Sequence, residues 1–243
     1  MRMLTFSKRN AKEILRDPIN LIFVFGFPLV LLFLLSAIQA NIPVPMFEIE
    51  HLAPGIGIFG LSFMTLFSAS LISKDRGSSL LRRLYTTPLT SMDFILGYTL
   101  PMIPIAAVQT AVCYLAALVL GLPLTVNIFY SILLSLPVYI LFVGMGLLFG
   151  SILNDKQVGG VCGALMTNLT AWLSGIWFEL DLVGGAFQKV AHALPFFHAV
   201  EMQRAVIRGD YSAIFPHFWW VLAYAVGILI LAIALFLRQM KKQ

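Results

Sequence analysis

The chain has 243 residues, 60% of them hydrophobic and only 11% charged, with a formal net charge of +5. Charge this sparse, gathered into short clusters between long apolar stretches, excludes a water-soluble globular domain and describes a bilayer protein. The basic excess is divided among those short clusters, so it reads as a topology signal and not as a nucleic-acid face.

The first residues form a charged lead, 1–18. Leu4, Ala11, Ile14 and Leu15 fall on one side of it at helical spacing, with Lys8, Arg9, Lys12, Glu13 and Arg16 elsewhere. That pattern predicts an amphipathic helix lying along the inner leaflet, with a plain basic flank as the simpler alternative. Asp17-Pro18 ends it, and the first apolar stretch follows.

A hydrocarbon core about 30 Å thick needs roughly 20 apolar residues at the helical rise. Six stretches reach that length: Ile19–Ile38, Pro54–Ser73, Ile95–Leu120, Val126–Gly150, Val158–Phe178 and Pro216–Leu237, and none contains Asp, Glu, Lys or Arg. Helices are the spanning element that length allows. The predicted fold is therefore all-α and integral to the membrane, one domain over 1–243. It comprises the lead, a six-span bundle over 19–237 and a tail over 238–243. The first stretch is too long for a signal-peptide core and is expected to be retained.

Lys and Arg orient the bundle. Arg2, Lys8, Arg9, Lys12, Arg16, Lys74, Arg76, Arg82, Arg83, Lys156, Arg238, Lys241 and Lys242 fall on one side, against Lys189, Arg204 and Arg208 on the other. The positive-inside bias places both termini in the cytoplasm, and the expected location is the plasma membrane, most simply a bacterial or archaeal inner membrane.

Small residues recur in the second stretch at Ser62, Thr65 and Ala69, and in the fifth at Gly163, Thr167, Thr170 and Ser174, beside the polar Asn168. Gly146-x-x-x-Gly150 and Gly159-x-x-x-Gly163 belong to the same class. Such stripes let helix backbones approach closely, either within the bundle or at a seam with a second copy or a substrate path. Pro101 and Pro104 are expected to kink the third stretch. Cys113 and Cys162 lie within apolar stretches and read as small apolar side chains. Residues 179–215 are too polar to span, and predict short outer helices broken at Pro195 and stopped at Gly209. Glu201 and Arg204, three residues apart, form an exposed pair on the second of them.

No phosphate loop, H-E-x-x-H, C-x-x-C or G-x-S-x-G occurs, and no ionisable residue sits in mid-span. A proton-driven carrier or an intramembrane hydrolase would need such a group. His51, His192, His198 and His217 fall on the outer side, at spacings that suggest no metal. An enzyme acting on lipid through Glu179, Asp181, His192, His198 and Glu201 is the alternative from another class, and a non-transporting scaffold a third.

The most distinctive segment joins the second and third stretches, Lys74 to Phe94. Leu80, Leu81 and Leu84 give it an apolar ridge, Arg82 and Arg83 give it charge, and Thr86-Thr87-Pro88 ends it. A short helix of this kind fits a groove on a soluble partner, though a solvated basic turn would satisfy topology equally.

Asp75-Arg76-Gly77, the leucine ridge and Thr86-Thr87-Pro88-Leu89 together resemble the stretch after the second span in permease subunits of type-2 ABC exporters. The lead Lys8 to Pro18 resembles that family's amphipathic elbow helix. Leu194-Pro195 followed by Glu201, Arg204 and Gly209 resembles its outer re-entrant segment. The resemblance implies a permease that binds no cofactor itself, with ATP and Mg held by a separate ABC ATPase subunit and a second permease alongside in a lipid membrane. It further implies that Asp75 to Leu84 couple ATP hydrolysis to the spans. The apolar path then suggests a hydrophobic or amphipathic cargo: a drug, an antibiotic or a lipid.

Overall fold

The computed structural model describes residues 2–42, 47–78 and 89–240. Among these the secondary structure is helical, with no strand. Helix α1 is Arg2–Leu15. Asp17 then caps the next helix, its carboxylate accepting the amides of Ile19 (3.1 Å) and Asn20 (3.2 Å). Pro18 takes the first helical position, where a missing N–H costs nothing.

Among the described residues five helices are long and apolar enough to cross a bilayer: α2 Pro18–Gln39, α3 Ile49–Gly77, α4 Ser91–Val119, α5 Val126–Ile152 and a last one, Tyr211–Gln239. The expected fifth stretch is a helical run over residues 155–173, α6, which is shorter and more polar and falls outside that set. Two short helices follow, α7 Leu180–Val183 and α8 Gly185–Ala193. Then come α9 Pro195–Arg208 and α10, the last span, which runs on to Met240.

Local chemistry sets the breaks. The α2 ladder widens to a π-helical turn over Ile22–Gly26, just before Pro28. That is where a proline without an amide donor must be accommodated. Thr90 starts α4 with a capping box: its hydroxyl accepts from the Asp93 amide, while Asp93 accepts from the Thr90 amide at 2.8 Å. The helix breaks at Leu100–Pro101, as the prolines dictate. Gly209, at φ 76°, closes α9 in the left-handed conformation that glycine adopts freely.

Helix α3 is the axis of the bundle. Leu52 through Thr65 are buried without interruption, so α3 is surrounded on every side, as a helix apolar all round should be. Its neighbours are α5, α6, α4, α9 and α2, and α5 packs in turn along α10. By contrast α2 and α10 turn apolar side chains outward, Ile22, Val30 and Leu34 on one and Trp219 and Ile230 on the other. An apolar belt of that kind suits lipid and not water.

The α3–α5 contact depends on absent side chains. A Cβ on Gly150 would lie 2.9 Å from the Ala69 Cα, and one on Gly146 would lie 2.4 Å from the Ser68 Cβ. Thr65 donates from the same strip to the Phe142 carbonyl at 2.9 Å. The small residues Thr65 and Ala69 thus make close contacts inside this chain. Gly150→Ala is expected to reduce the yield of folded, monodisperse protein and to lower its melting temperature, because backbone is what the new Cβ meets. Overpacking of this kind costs about 1–3 kcal/mol. Gly160→Ala, where nothing lies within 4 Å, is the matched control and should melt like the parent in a detergent thermal-shift assay.

Candidate functional site at the basic end of the bundle

One end of the bundle collects α1, the C-terminus of α3, the start of α4 and the α5–α6 turn. Phe6 of α1 sits over Gly97 of α4, where an added Cβ would come within 2.2 Å of its ring. The ring packs edge-on against Phe94 (5.6 Å) and Tyr98 (5.0 Å). One turn on, Asn10 is fully buried and donates to the Gly97 carbonyl at 2.9 Å. A glycine on α4 therefore makes the seat, and a phenylalanine and an asparagine on α1 fill it.

That seat places Arg9 over the end of α3. Its guanidinium forks onto Asp75, Nη1 to Oδ2 at 2.6 Å and Nη2 to Oδ1 at 3.0 Å. Tyr98 donates to the same carboxylate at 2.9 Å. Arg9 also pairs with Glu13 along its own helix. Burial by itself would lower the Arg9 pKa, but the hydrogen bond and charge of Asp75 outweigh it and hold the group above its ordinary value. Asp75 is only 3% exposed. A carboxylate so withdrawn from water is held instead by a bidentate arginine and a phenol.

The next residue ties α3 to α5. Arg76 donates through Nη1 to the carbonyls of Gly150 (2.7 Å) and Leu153 (3.2 Å) at the α5 C-terminus, where a cation complements the unpaired carbonyls and the helix dipole. Between the α3 end and the α5–α6 turn lies a cleft of about 610 Å³, its walls including Lys74, Arg76, Gly77, Asp155 and Lys156. Consecutive residues thus work in opposite directions, Asp75 toward α1 and α4 and Arg76 toward α5. Gly77 is exposed just beyond them. Leu80, Leu81, Arg82, Arg83 and Leu84, the predicted ridge, lie outside the described residues.

On α6, Thr167 and Thr170 are buried, as is Ser174 just past its end, and Gly163 is half-buried against Leu66. Asn168 points outward and donates to the Ala164 carbonyl at 2.8 Å. Ser62 is buried on α3 and bonds its own Phe59 carbonyl.

The opposite end corrects one expectation. Arg204 is not on an exposed face: it is 3% exposed. It donates to the carbonyls of His51 (3.1 Å) and Gly175 (3.0 Å) and to Glu201 at 2.8 Å. The exposed-pair spacing was right and its environment wrong, because α9 folds back into the bundle against the start of α3. Arg204 is the cation that satisfies the carbonyls left there, at the end of α6 and on the first turn of α3.

Of the residues that suggested lipid chemistry, Asp181 accepts from Gln188 at 2.5 Å, and Glu179 and His192 are exposed. His198 meets the Nδ1 of His217 at 2.7 Å and the His192 carbonyl at 2.8 Å. Burial lowers the His198 pKa, opposed by its bond to the His192 carbonyl. Trp220 lies 5.0 Å from its ring. Glu201 is engaged by Arg204, so these groups do not converge on one reacting point. Among the described residues no group of three or more His, Cys, Asp or Glu is placed to hold a metal.

Sequence reasoning identified Asp75 and Arg76 but not the partners of Asp75, Arg9 and Tyr98, nor the Asn10–Gly97 bond that seats Arg9 over it.

A family model described as "ABC-2 type transporter" matches residues 1–207, which takes in α1, the Asp75–Arg76 junction and α9. The chain is 26% identical over 156 residues to the capsule polysaccharide export inner-membrane protein CtrC of Neisseria meningitidis serogroup A / serotype 4A. That similarity covers 64% of this chain and 59% of the relative's length.

Two measurements check the geometry. Arg9→Gln and Asp75→Asn should each destabilise the protein. The double variant should lose less than the sum, with a coupling of about 0.5–3 kcal/mol in a double-mutant cycle; additive losses would show that the pair is not coupled. Glu201→Gln should cost about 1.5–3 kcal/mol, as expected for a hydrogen bond to a buried charge, instead of the few tenths of an exposed pair.

Proposed function

We propose, from the premise that the chain belongs to the ABC-2 type transporter family, that it is the membrane subunit of an ATP-driven exporter. ATP and Mg are held and consumed on a separate ABC ATPase chain, and a second permease subunit lies alongside. Both termini and the segment after Gly77 face the cytoplasm. Helix α6 serves as a fifth of six spans, and α7 to α9 form the outer re-entrant segment. The family match over residues 1–207 carries this reading.

The basic end supplies its mechanics. A partner docked on the ridge Leu80, Leu81, Leu84, with Arg82 and Arg83 beside it, would act on the chain immediately after Gly77. Asp75 and Arg76 fasten that point to α1, α4 and α5 at once. A displacement there would be shared by three elements and the axial helix, instead of being absorbed by a loop. The seam or path is proposed along α3 and α6, where Gly163 lies against Leu66 and Asn168 is on the outward face of α6.

The cargo proposed is hydrophobic or amphipathic. A polysaccharide-containing cargo is the second reading, favoured by the name of the Neisseria relative.

Leu80→Asp with Leu84→Asp tests the coupling. The double variant should insert normally and lose capture of the cognate ATPase in a pull-down, or keep capture and uncouple hydrolysis from export. Burying a leucine contributes roughly 1.5–3 kcal/mol, so two losses correspond to orders of magnitude in affinity. Normal capture with normal export would reduce the segment to a topology flank.

A further inference from the structure

Helix α1 has three faces, and the lock formed by its seat on α4 and the Arg9–Asp75 pair uses one. Phe6, Asn10 and Ile14 are buried, the first two directly on α4. Next to them, Leu4, Ala11 and Leu15 line a groove of about 560 Å³ whose other wall includes Pro101, Pro104 and Val108 of α4. The groove lies where α4 breaks at Leu100–Pro101. Its apolar walls are open to the surroundings: Leu4 is 58% exposed, Leu15 52% and Val108 53%. A third face follows around the helix. Lys8, Lys12 and Arg16 line an adjoining hollow of about 550 Å³, and Lys8 belongs to both spaces. Glu13, the carboxylate at that hollow, is engaged by Arg9. Among the described residues none of the three cations has an acidic partner.

We propose that this groove is a binding site for one anionic phospholipid. An acyl chain would lie between α1 and the broken turn of α4, and the headgroup phosphate would meet Lys8, with Lys12 and Arg16 behind it. Charge complementarity selects the occupant: an apolar trough bordered by unneutralised cations matches the two halves of an anionic lipid. A free phosphate would leave the trough uncovered, and a zwitterionic lipid would leave the cations uncompensated. The lysine stems can lie along the apolar wall while their ammonium groups reach the headgroup level. Because α1 bears on Asp75 through Arg9, a lipid seated here would brace the lock from its outer side. The inference rests on the chain's being a multi-pass membrane protein and not on transport, so failure of the ATPase-docking test leaves it standing.

The test uses the full chain reconstituted in phosphatidylcholine vesicles, with no ATPase present. Trace phosphatidylglycerol or phosphatidylcholine carrying a photoreactive acyl chain is added, and the labelled peptides are mapped. The phosphatidylglycerol probe should label residues 4–15 and 100–108 well above the phosphatidylcholine probe. Each basic residue should contribute about fivefold to that preference. Lys8→Gln with Lys12→Gln, both exposed and outside the lock, should cut the preference by at least about tenfold while leaving elution and melting unchanged. Val108→Trp, filling the groove from its exposed rim, should reduce labelling by both probes. Millimolar inorganic phosphate should not compete. Equal labelling by the two probes, labelling spread evenly over the lipid-facing spans, or an unchanged preference in the lysine variant would overturn the proposal. So would competition by phosphate, or protection of the groove by a second copy of the chain.

Discussion

A carboxylate that is nearly inaccessible to water at the end of a membrane helix must bring its own counter-charge, and this requirement organises the basic end of the protein. Asp75 cannot be solvated where α3 puts it, so α1 must be present to deliver Arg9 and α4 must turn Tyr98 inward. The lead helix is therefore a structural part of the bundle. Its seat on Gly97, its buried asparagine and its edge-on aromatic packing are the means by which one guanidinium is placed. Removing one partner of such a group leaves a buried charge, which is far costlier than the pair itself is stabilising.

The far end solves the mirror problem. There the charge withdrawn from water is a cation, Arg204, and two of its three partners are backbone carbonyls. Both ends of α3 are thus finished by arginines that reach across from other elements, Arg9 and Arg204. Along its middle the polar side chains of the axial helix are hydroxyls: those of Ser62 and Thr65 donate to carbonyls, while that of Ser68 is buried without a partner among the described residues. Electrostatics is confined to the rims and the middle is left to close packing, which is the division that lipid imposes on any bundle.

Much of this was legible in the order of residues. Length and apolarity marked the spans, Pro101 marked the α4 break, and Gly209 marked the end of α9, because each reflects a local rule of backbone chemistry. The fifth stretch was harder to place. The run over 155–173 contains Lys156, Gln157, three glycines and Asn168, and widens to a π-helix over Gly159–Met166, so neither its length nor its apolarity is that of an ordinary span. Pairings between distant residues were not legible at all. Nothing adjacent to Arg9 announces a partner 66 positions away, and nothing adjacent to Arg204 says that its helix folds inward. The spacing of Glu201 and Arg204 gave the pair and withheld its burial, because burial is a property of what lies opposite and not of the helix itself.

The glycine seam between α3 and α5 has a consequence for how the protein is made. Helix α3 is synthesised roughly 70 residues before Gly146 and Gly150. At about 5–20 residues per second, it waits several seconds to some ten seconds with its future contact strip unpartnered. During that interval the strip must be acceptable to lipid or to the insertion machinery. Ser62 bonding back to the Phe59 carbonyl of its own helix is suited to the task, because it needs no neighbour to be satisfied. Thr65, whose native acceptor is the carbonyl of Phe142, can find its partner only after α5 arrives. In biosynthetic order the axis of the bundle is laid down early and completed late.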